Sequence, residues 1–209
     1  MIIEKIIDFE MDENCYILYK KGCSVCLLID PGANYSKIIN YLEEKNLQLS
    51  HILLTHCHYD HISSIKELKE KTAAVVLSGE ECKENIKSNI INVSMMFGKD
   101  LSGDFVDETF SDREEKEIAG IKVKCIKTPG HTNCSVCYQI DDNIFSGDTL
   151  FLRTTGRWDL PTGDFDTLKE SIQNKLYKMD EHCKVFPGHG NSTTIGYEKK
   201  YNLSISNQD

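Results

Sequence analysis

Three histidines and an aspartate lie within residues 56–61, in the stretch THCHYDH. Because the chain has only 7 histidines, this cluster is a local pattern and does not simply reflect composition. It follows the apolar run HILL, which predicts a short buried strand. The pattern therefore predicts a fold in which the end of a core strand delivers a cluster of metal-binding side chains into a loop.

The same arrangement recurs three times farther along the chain. His131 follows the strand-like run IKVKCIK, Asp148 follows NIFSG, and His189 follows CKVF. If these strand ends share one edge of the core, five histidines and two aspartates converge there. Such a set is sufficient for two metal ions with about three protein ligands each.

The spacing within the first cluster has a chemical reason. His56 and His58 can point the same way on a tight turn and bind one ion, while Asp60 and His61 on the next turn can reach a second ion. Catalytic zinc sites bind imidazole nitrogen and keep one position for water. Two ions about 3.5–4 Å apart can share a hydroxide. A carboxylate that bridges both ions is the natural role for Asp148.

The rest of the chain predicts a mixed α/β fold. Strands are expected at IIEKIIDF, CYILYK, CSVCLLID and AAVVLS, followed by a hairpin of VCYQI and NIFSGD. Helices are expected from an N-cap at Ser36, over ISSIKELKEK and GEECKENI, and over Asp166–Lys178. Residues 88–116 predict long loops with short strands. Two strand-rich halves with helices indicate sheet-on-sheet packing faced by helices, in a single domain over residues 1–209.

Composition excludes several function classes. The net charge is -9, which argues against a nucleic-acid surface. No run of eighteen apolar residues is present, so we expect no membrane span. The start MIIEKIIDFEMDE lacks the order of a signal peptide, which favours a cytoplasmic protein.

Nine cysteines are present, an odd number that favours reduced thiols in the cytosol. Two pairs have C-x-x-C spacing, Cys23 with Cys26 and Cys134 with Cys137. Four thiolates at this spacing could form a zinc or iron–sulfur site. The other interpretation, which we favour, is that these cysteines pack as small apolar residues in strands.

A family resemblance rests on motifs that occur in order along nearly the whole chain: LIDPG, THCHYDH, TPGHT, SGDTLF, GRWDLPTGD, VFPGHG and TTIGYEKKYN. They resemble the metallo-β-lactamase fold, in the short form of its glyoxalase II-like (hydroxyacylglutathione hydrolase) branch. The resemblance implies an α/β (α+β) fold, a four-layer αββα sandwich with the active site at one edge between the sheets.

The resemblance also implies roles for individual residues. The first metal is held by His56, His58 and His131, the second by Asp60, His61 and His189, and Asp148 bridges the pair. Arg157 and Asp159 match a GRxD motif and are expected to form a supporting ion pair. Two divalent metal ions are expected as cofactors, with zinc favoured and iron or manganese as alternatives.

The sequence departs from the family pattern at three places. Cys57 and Cys134 stand where this branch more often has glycine, and we expect the Cys57 side chain to point away from the flanking histidines. The chain after TTIGYEKKYN is shorter than the helical segment with which glyoxalase II holds glutathione. The resemblance therefore leaves open whether glutathione is the thiol carrier.

The function implied is hydrolysis of a small-molecule thioester (an acyl-thiol) by a metal-bound hydroxide that Asp60 orients. No nucleic-acid or membrane partner is expected, and the sequence does not indicate an oligomeric state. The alternative is an oxidoreductase resembling the persulfide dioxygenases, with one iron held by His56, His131 and Asp148. β-Lactam hydrolysis is a less favoured alternative.

Overall fold

A computed structural model describes residues 1–8, 11–32 and 34–205. Within them, the first sheet has six strands in chain order. The first two pairs of neighbouring strands are antiparallel, and the remaining three pairs are parallel. They are β1 (Ile2–Asp8), β2 (Glu13–Tyr19), β3 (Val25–Ile29), β4 (Gln48–Leu54), β5 (Val75–Gly79) and β6 (Glu108–Phe110).

The second sheet also has six strands among the described residues, and all neighbours except β10 and β11 are antiparallel. They are β7 (Glu115–Ile118), β8 (Ile121–Lys127), β9 (Val136–Ile140), β10 (Asn143–Gly147), β11 (Lys184–Pro187) and β12 (Thr193–Thr194). The predicted hairpin is confirmed, since β9 and β10 pair across Asp141 and Asp142.

Six α-helices connect these strands in the part of the chain that the structure describes. They are α1 (Tyr35–Glu44), α2 (Tyr59–Ile62), α3 (Ile65–Thr72), α4 (Cys82–Asn85), α5 (Phe165–Asn174) and α6 (Ile195–Tyr201). Short 3₁₀ turns occur at Ser94–Phe97 and Leu176–Lys178. None of the described helices has the length and apolar composition needed to cross a bilayer.

Three apolar layers hold the elements together. The central layer lies between the sheets, where Leu53 of the first sheet is in the same cluster as Tyr138 and Phe145 of the second. Alternate residues of the same strands face outward, because side chains alternate across a strand. Those of the first sheet pack on α1 and α3, and those of the second pack on α5 and α6. The predicted four-layer αββα sandwich is confirmed.

Several predicted helix boundaries are wrong. Helix α1 is capped by Asn34, whose side chain accepts a hydrogen bond from the Ser36 amide at 3.0 Å, so Ser36 lies inside the first turn. The helix expected over ISSIKELKEK begins only at Ile65, after the short α2. That expected over GEECKENI is a single turn, Cys82–Asn85. The last of these predicted helices, α5, gives way to a 3₁₀ turn after Asn174.

The two sheets are joined by hydrogen bonds next to the strand ends that carry the histidines. The Tyr138 hydroxyl donates to the carbonyl of Leu54 at 2.8 Å, and the Val136 amide donates to the carbonyl of Thr55 at 2.8 Å. The Tyr16 hydroxyl donates to the carbonyl of Pro187 at 2.7 Å. Because these bonds are buried and cross between the sheets, they fix the loops after β4, β8 and β11 relative to one another.

Candidate metal centre

Three histidines from two sheets form the first group of metal-binding side chains. His56 and His58 follow β4, and His131 lies in the loop after β8. The His131 Nε2 atom lies 3.2 Å from His56 Nε2 and 2.9 Å from His58 Nδ1. Nitrogens bound to one tetrahedral zinc at about 2.0–2.1 Å lie about 3.3 Å apart, so the spacing suits a single ion.

Asp60, His61 and His189 form a second group beside the first. Asp60 and His61 lie in α2, and His189 follows β11. The Asp60 Oδ2 atom lies 3.1 Å from His189 Nε2 and 3.7 Å from His61 Nε2. The two groups adjoin, since the His56 and His61 ring centres are 4.2 Å apart.

Asp148 reaches both groups. Its Oδ1 atom is 3.2 Å from His61 Nε2, and its Oδ2 atom is 3.6 Å from His131 Nε2 and 3.7 Å from His189 Nε2. A carboxylate in this position has one oxygen available for each of two ions.

The buried polar atoms of this centre fit a metal. His61 Nε2 and Asp148 Oδ1 are buried without a hydrogen-bond partner among the described residues. Leaving such atoms unsatisfied is costly, and coordination to an ion removes the cost. Neutral imidazole and carboxylate together suit zinc, iron and manganese.

The other ring nitrogens are held by the surrounding protein. A buried carboxylate, Asp30, accepts hydrogen bonds from His61 Nδ1 at 3.0 Å and from the Thr55 hydroxyl at 2.6 Å. Because that hydroxyl donates to Asp30, it can accept a hydrogen bond from His56 Nδ1, 3.1 Å away. These contacts direct the Nε2 atoms of both histidines into the centre.

Backbone carbonyls orient two more histidines. His131 Nδ1 donates to the carbonyl of Arg157 at 2.6 Å, and His189 Nδ1 donates to the carbonyl of Asp12 at 2.8 Å. The Arg157 side chain itself pairs with Asp159 through two contacts of 2.8 and 2.9 Å, both residues being exposed. An exposed pair of this kind contributes little stability by itself.

Electrostatics differ between the two groups of histidines. Burial and the neighbouring histidines lower the pKa of His56 well below its usual range and that of His58 to about 4. Burial also disfavours the charged form of His61, but Asp148 and Asp60 outweigh it and raise its pKa well above the usual value. The pKa of His189 is raised by its hydrogen bond to Asp60 and by Asp148, against the effect of burial.

Both carboxylates of the centre favour the ionised form. Burial acts to raise the pKa of Asp148, yet the charge of His61, with those of His131 and His189, holds it well below its usual value. The pKa of Asp60 is lowered for a similar reason, by His61 and by the hydrogen bond with His189, against burial. Each is therefore available as an anionic ligand or proton acceptor near neutral pH.

Comparison with known families decides the classification. The sequence profile described as "Metallo-beta-lactamase superfamily" matches residues 9–189. The chain belongs to the metallo-β-lactamase superfamily. Its membership, together with the centre described above, makes it a member of a family of metal-dependent hydrolases.

Two curated relatives extend over most of this superfamily member. A probable metallo-hydrolase of Streptococcus pyogenes is 34% identical and covers 97% of this chain and 89% of its own. The hydroxyacylglutathione hydrolase GloC of Haemophilus influenzae is 30% identical and covers 100% of both chains.

Solved structures agree with the fold. The B3 metallo-β-lactamase BLEG-1 superposes with a TM-score of 0.92 at 29% identity, covering 98% of this chain and 100% of its own. ETHE1 from Myxococcus xanthus superposes with a TM-score of 0.82 at 27% identity, covering 97% of this chain and 84% of its own. The protein TTHA1623, in a di-iron-bound form, superposes with a TM-score of 0.83 at 26% identity, covering 96% of this chain and 98% of its own.

Sequence reasoning did not find two acidic residues of this superfamily member's centre. Asp30 lies in the motif LIDPG, where Asp-Pro-Gly indicates only a turn. Glu13 is fully buried, and neither of its carboxyl oxygens has a hydrogen-bond partner among the described residues. Burial, together with Asp30 and Asp60, raises its pKa well above the usual value, although His61 opposes the shift. No signal in the sequence distinguishes Glu13 from an ordinary glutamate at the start of a strand.

The backbone approaches the centre closely at Gly188. A Cβ atom at this position would collide with Asp148 Oδ1 and with the His61 ring. Gly188, the first glycine of VFPGHG, is therefore required because there is no room for a larger side chain beside Asp148 and His61.

The four-thiolate site considered for the C-x-x-C pairs is wrong. Cys23 is exposed, Cys26 packs on the outer face of the first sheet, and Cys137 packs on the outer face of the second. Because the sandwich lies between these positions, the two pairs cannot share an ion. As expected, Cys57 points away from the histidines, into a buried contact with Cys134.

Proposed function

We propose that this protein is a dinuclear metallohydrolase that cleaves a small-molecule thioester. The observation that carries the proposal is the position of Asp148, whose two oxygens face the two groups of histidines. Two adjoining groups of ligands with a shared carboxylate suit a pair of metal ions. The thioester specificity is supported by the whole-length similarity to GloC, whose named substrate, a hydroxyacylglutathione, is a thioester.

In this proposal, His56, His58 and His131 hold one divalent ion and Asp60, His61 and His189 hold the other. Zinc is the favoured ion, with iron or manganese as alternatives. When bound, such ions polarise a carbonyl oxygen and lower the pKa of a water molecule.

The protein's own groups then have defined tasks. Asp60 is ionised and partly accessible, with 21% of its side chain exposed, so it can accept a hydrogen bond from the attacking water and orient that water towards the carbonyl carbon. Asp30, through its contact with His61 and through Thr55, fixes the rings that face the reaction. No covalent intermediate with a side chain is required.

The variant Asp60→Asn tests this role. It removes the proton acceptor and leaves a side chain of nearly the same shape. We expect kcat for an acyl-thiol substrate to fall by about 10²–10⁴-fold, the usual contribution of a positioned acid or base. Metal content is measured by elemental analysis on the same samples, and the exposed Asp104→Asn serves as the control. Full activity of Asp60→Asn with unchanged metal content would overturn the proposal.

A mononuclear iron oxidoreductase acting on persulfides is the second candidate. His56, His131 and Asp148 supply two histidines and a carboxylate for one iron, and the similarity to ETHE1 of Myxococcus xanthus gives this candidate its weight. Elemental analysis separates the two functions. Two metals per chain with thioester turnover supports the hydrolase, whereas one iron with oxygen uptake supports the oxidoreductase. A β-lactam belongs in the same assay panel because of the similarity to BLEG-1.

A further inference from the structure

Three buried cysteines from distant parts of the chain meet beside the histidine centre. Cys57 lies between His56 and His58, Cys82 begins α4, and Cys134 follows the loop of His131. All three are at most 1% exposed. They belong to three different segments of the chain, so local sequence does not force their contact.

The three sulfur atoms have the spacing of ligands around one ion. The Sγ atoms of Cys57 and Cys134 are 3.8 Å apart, and all three sulfurs lie within 4.8 Å of one another. Two thiolates bound to a single tetrahedral ion at about 2.3 Å are separated by about 3.8 Å. The Cys57–Cys134 separation therefore matches two ligands of a single ion, and the Cys82 sulfur lies close enough to be the third.

The surroundings favour an ion that takes few ligands, with sulfur as the main donor. The Thr132 hydroxyl lies 3.3 Å from the Cys134 sulfur, and because a neutral hydroxyl is a poor metal ligand, the sulfurs are the main donors. Soft thiolate ligands select monovalent copper, zinc or iron–sulfur clusters. Structural zinc is almost always four-coordinate, whereas three sulfurs suit monovalent copper.

We propose that Cys57, Cys82 and Cys134 form a second, separate metal site that binds one monovalent copper ion. Each cysteine that binds as a thiolate releases its proton to solvent, and binding changes the oxidation state of neither sulfur nor copper. Because Cys57 and Cys134 lie in the loops that carry His56, His58 and His131, the ion ties those loops to α4.

Copper binding is tested on the intact protein with its histidine centre loaded with zinc. The reduced protein is purified from cells grown with added copper, and a second sample is equilibrated anaerobically with monovalent copper supplied by a chelator. We expect one copper per chain beyond the zinc, with only sulfur neighbours in X-ray absorption at the copper edge. Zinc content should stay unchanged.

Variants assign the copper to this cluster. Cys82→Ala removes one sulfur without altering the histidine loops, and Cys82→Ser does so with less change in volume; both should lose the extra copper while remaining folded by circular dichroism. Cys137 is a buried cysteine on the outer face of the second sheet, so the variant Cys137→Ala should keep the extra copper. Absence of copper in the wild-type protein, nitrogen neighbours around the copper, or wild-type copper content in both Cys82 variants would each overturn the proposal.

Discussion

Asp30 accepts a hydrogen bond from Nδ1 of His61 at 3.0 Å, in a position where both side chains are almost fully buried. The same carboxylate accepts a hydrogen bond from the Thr55 hydroxyl, and that hydroxyl in turn contacts His56 Nδ1. A single acidic side chain therefore orients one histidine in each group of the candidate centre.

The variant Asp30→Asn should weaken metal binding. The amide can no longer accept from both His61 and Thr55 with the strength of a carboxylate, so both rings lose part of their orientation and basicity. Loss of such an outer partner typically costs 10–100-fold in metal affinity, and we expect a change of about this size in competition with a chelator. Asp107→Asn is the matched control. Like Asp30, Asp107 accepts one hydrogen bond from a backbone amide and one from a side chain, but its donors are Val76 and Lys69 and not residues of the centre. Equal affinities for the two variants would contradict the role of Asp30.

The two metal ions should leave at different pH values. Protons compete with metal for imidazole, and the pKa of His58 is lowered to about 4, whereas the pKa values of His61 and His189 are raised. As pH falls, protons should therefore displace the ion from the group of His61 and His189 first, and from the group of His56 and His58 only at lower pH. Metal per chain after dialysis should step from two to one, and then to none as pH approaches about 4.

His189→Ala identifies which ion is the more labile. This variant should lose the first step of the pH curve and keep the second. A single step in the wild-type protein, or loss of the low-pH step in His189→Ala, would show that the two groups do not differ as their surroundings indicate.

Glu13→Gln should flatten the dependence of stability on pH in metal-stripped protein. A carboxyl group whose pKa is raised on folding stabilises fully below its unfolded value of about 4.5, and that stability is lost as pH rises through the folded pKa. A glutamine side chain cannot ionise, so the stability of the variant relative to the wild-type protein should increase progressively as pH rises above about 4.5. Denaturant unfolding measures the difference, with the exposed Glu117→Gln as the control. A constant difference across this range would show that Glu13 does not titrate between folded and unfolded states as proposed.

Cys23 should be the single fast-reacting thiol. It is exposed, whereas the other eight cysteines are buried. A thiol reagent should modify one group per native chain within minutes and nine after unfolding, because reaction requires access to the sulfur. In Cys23→Ser the fast phase should disappear. A second fast thiol that survives this substitution would reveal an opening of the core near one of the buried cysteines.

The sequence predicted the fold well because its periodic signals are local. The strand-forming runs and the hairpin at Asp141 follow from alternation and turn chemistry, and the histidines of 56–61 stand out by spacing. The start of α1 was misplaced because Ser36 and Asn34 are both good capping residues, and only the backbone geometry selects Asn34.

The parts that sequence reasoning missed depend on contacts between distant segments. Asp30 reads as a turn residue until β3 is placed beside β4, which brings it to Thr55. Cys82 carries no signal until α4 packs against the loops of Cys57 and Cys134. Such contacts are set by tertiary packing, which a local pattern does not encode.

The order in which the centre's side chains occur along the chain has a consequence for synthesis. The ligand side chains of residues 56–61 leave the ribosome first. His189 emerges roughly 130 residues later, an interval on the order of 10 s at usual translation rates. During that time a nascent chain can present only part of its ligands to any passing ion. Capture of the second ion therefore has to wait until translation has delivered β11, so the complete centre can be loaded only late in chain growth.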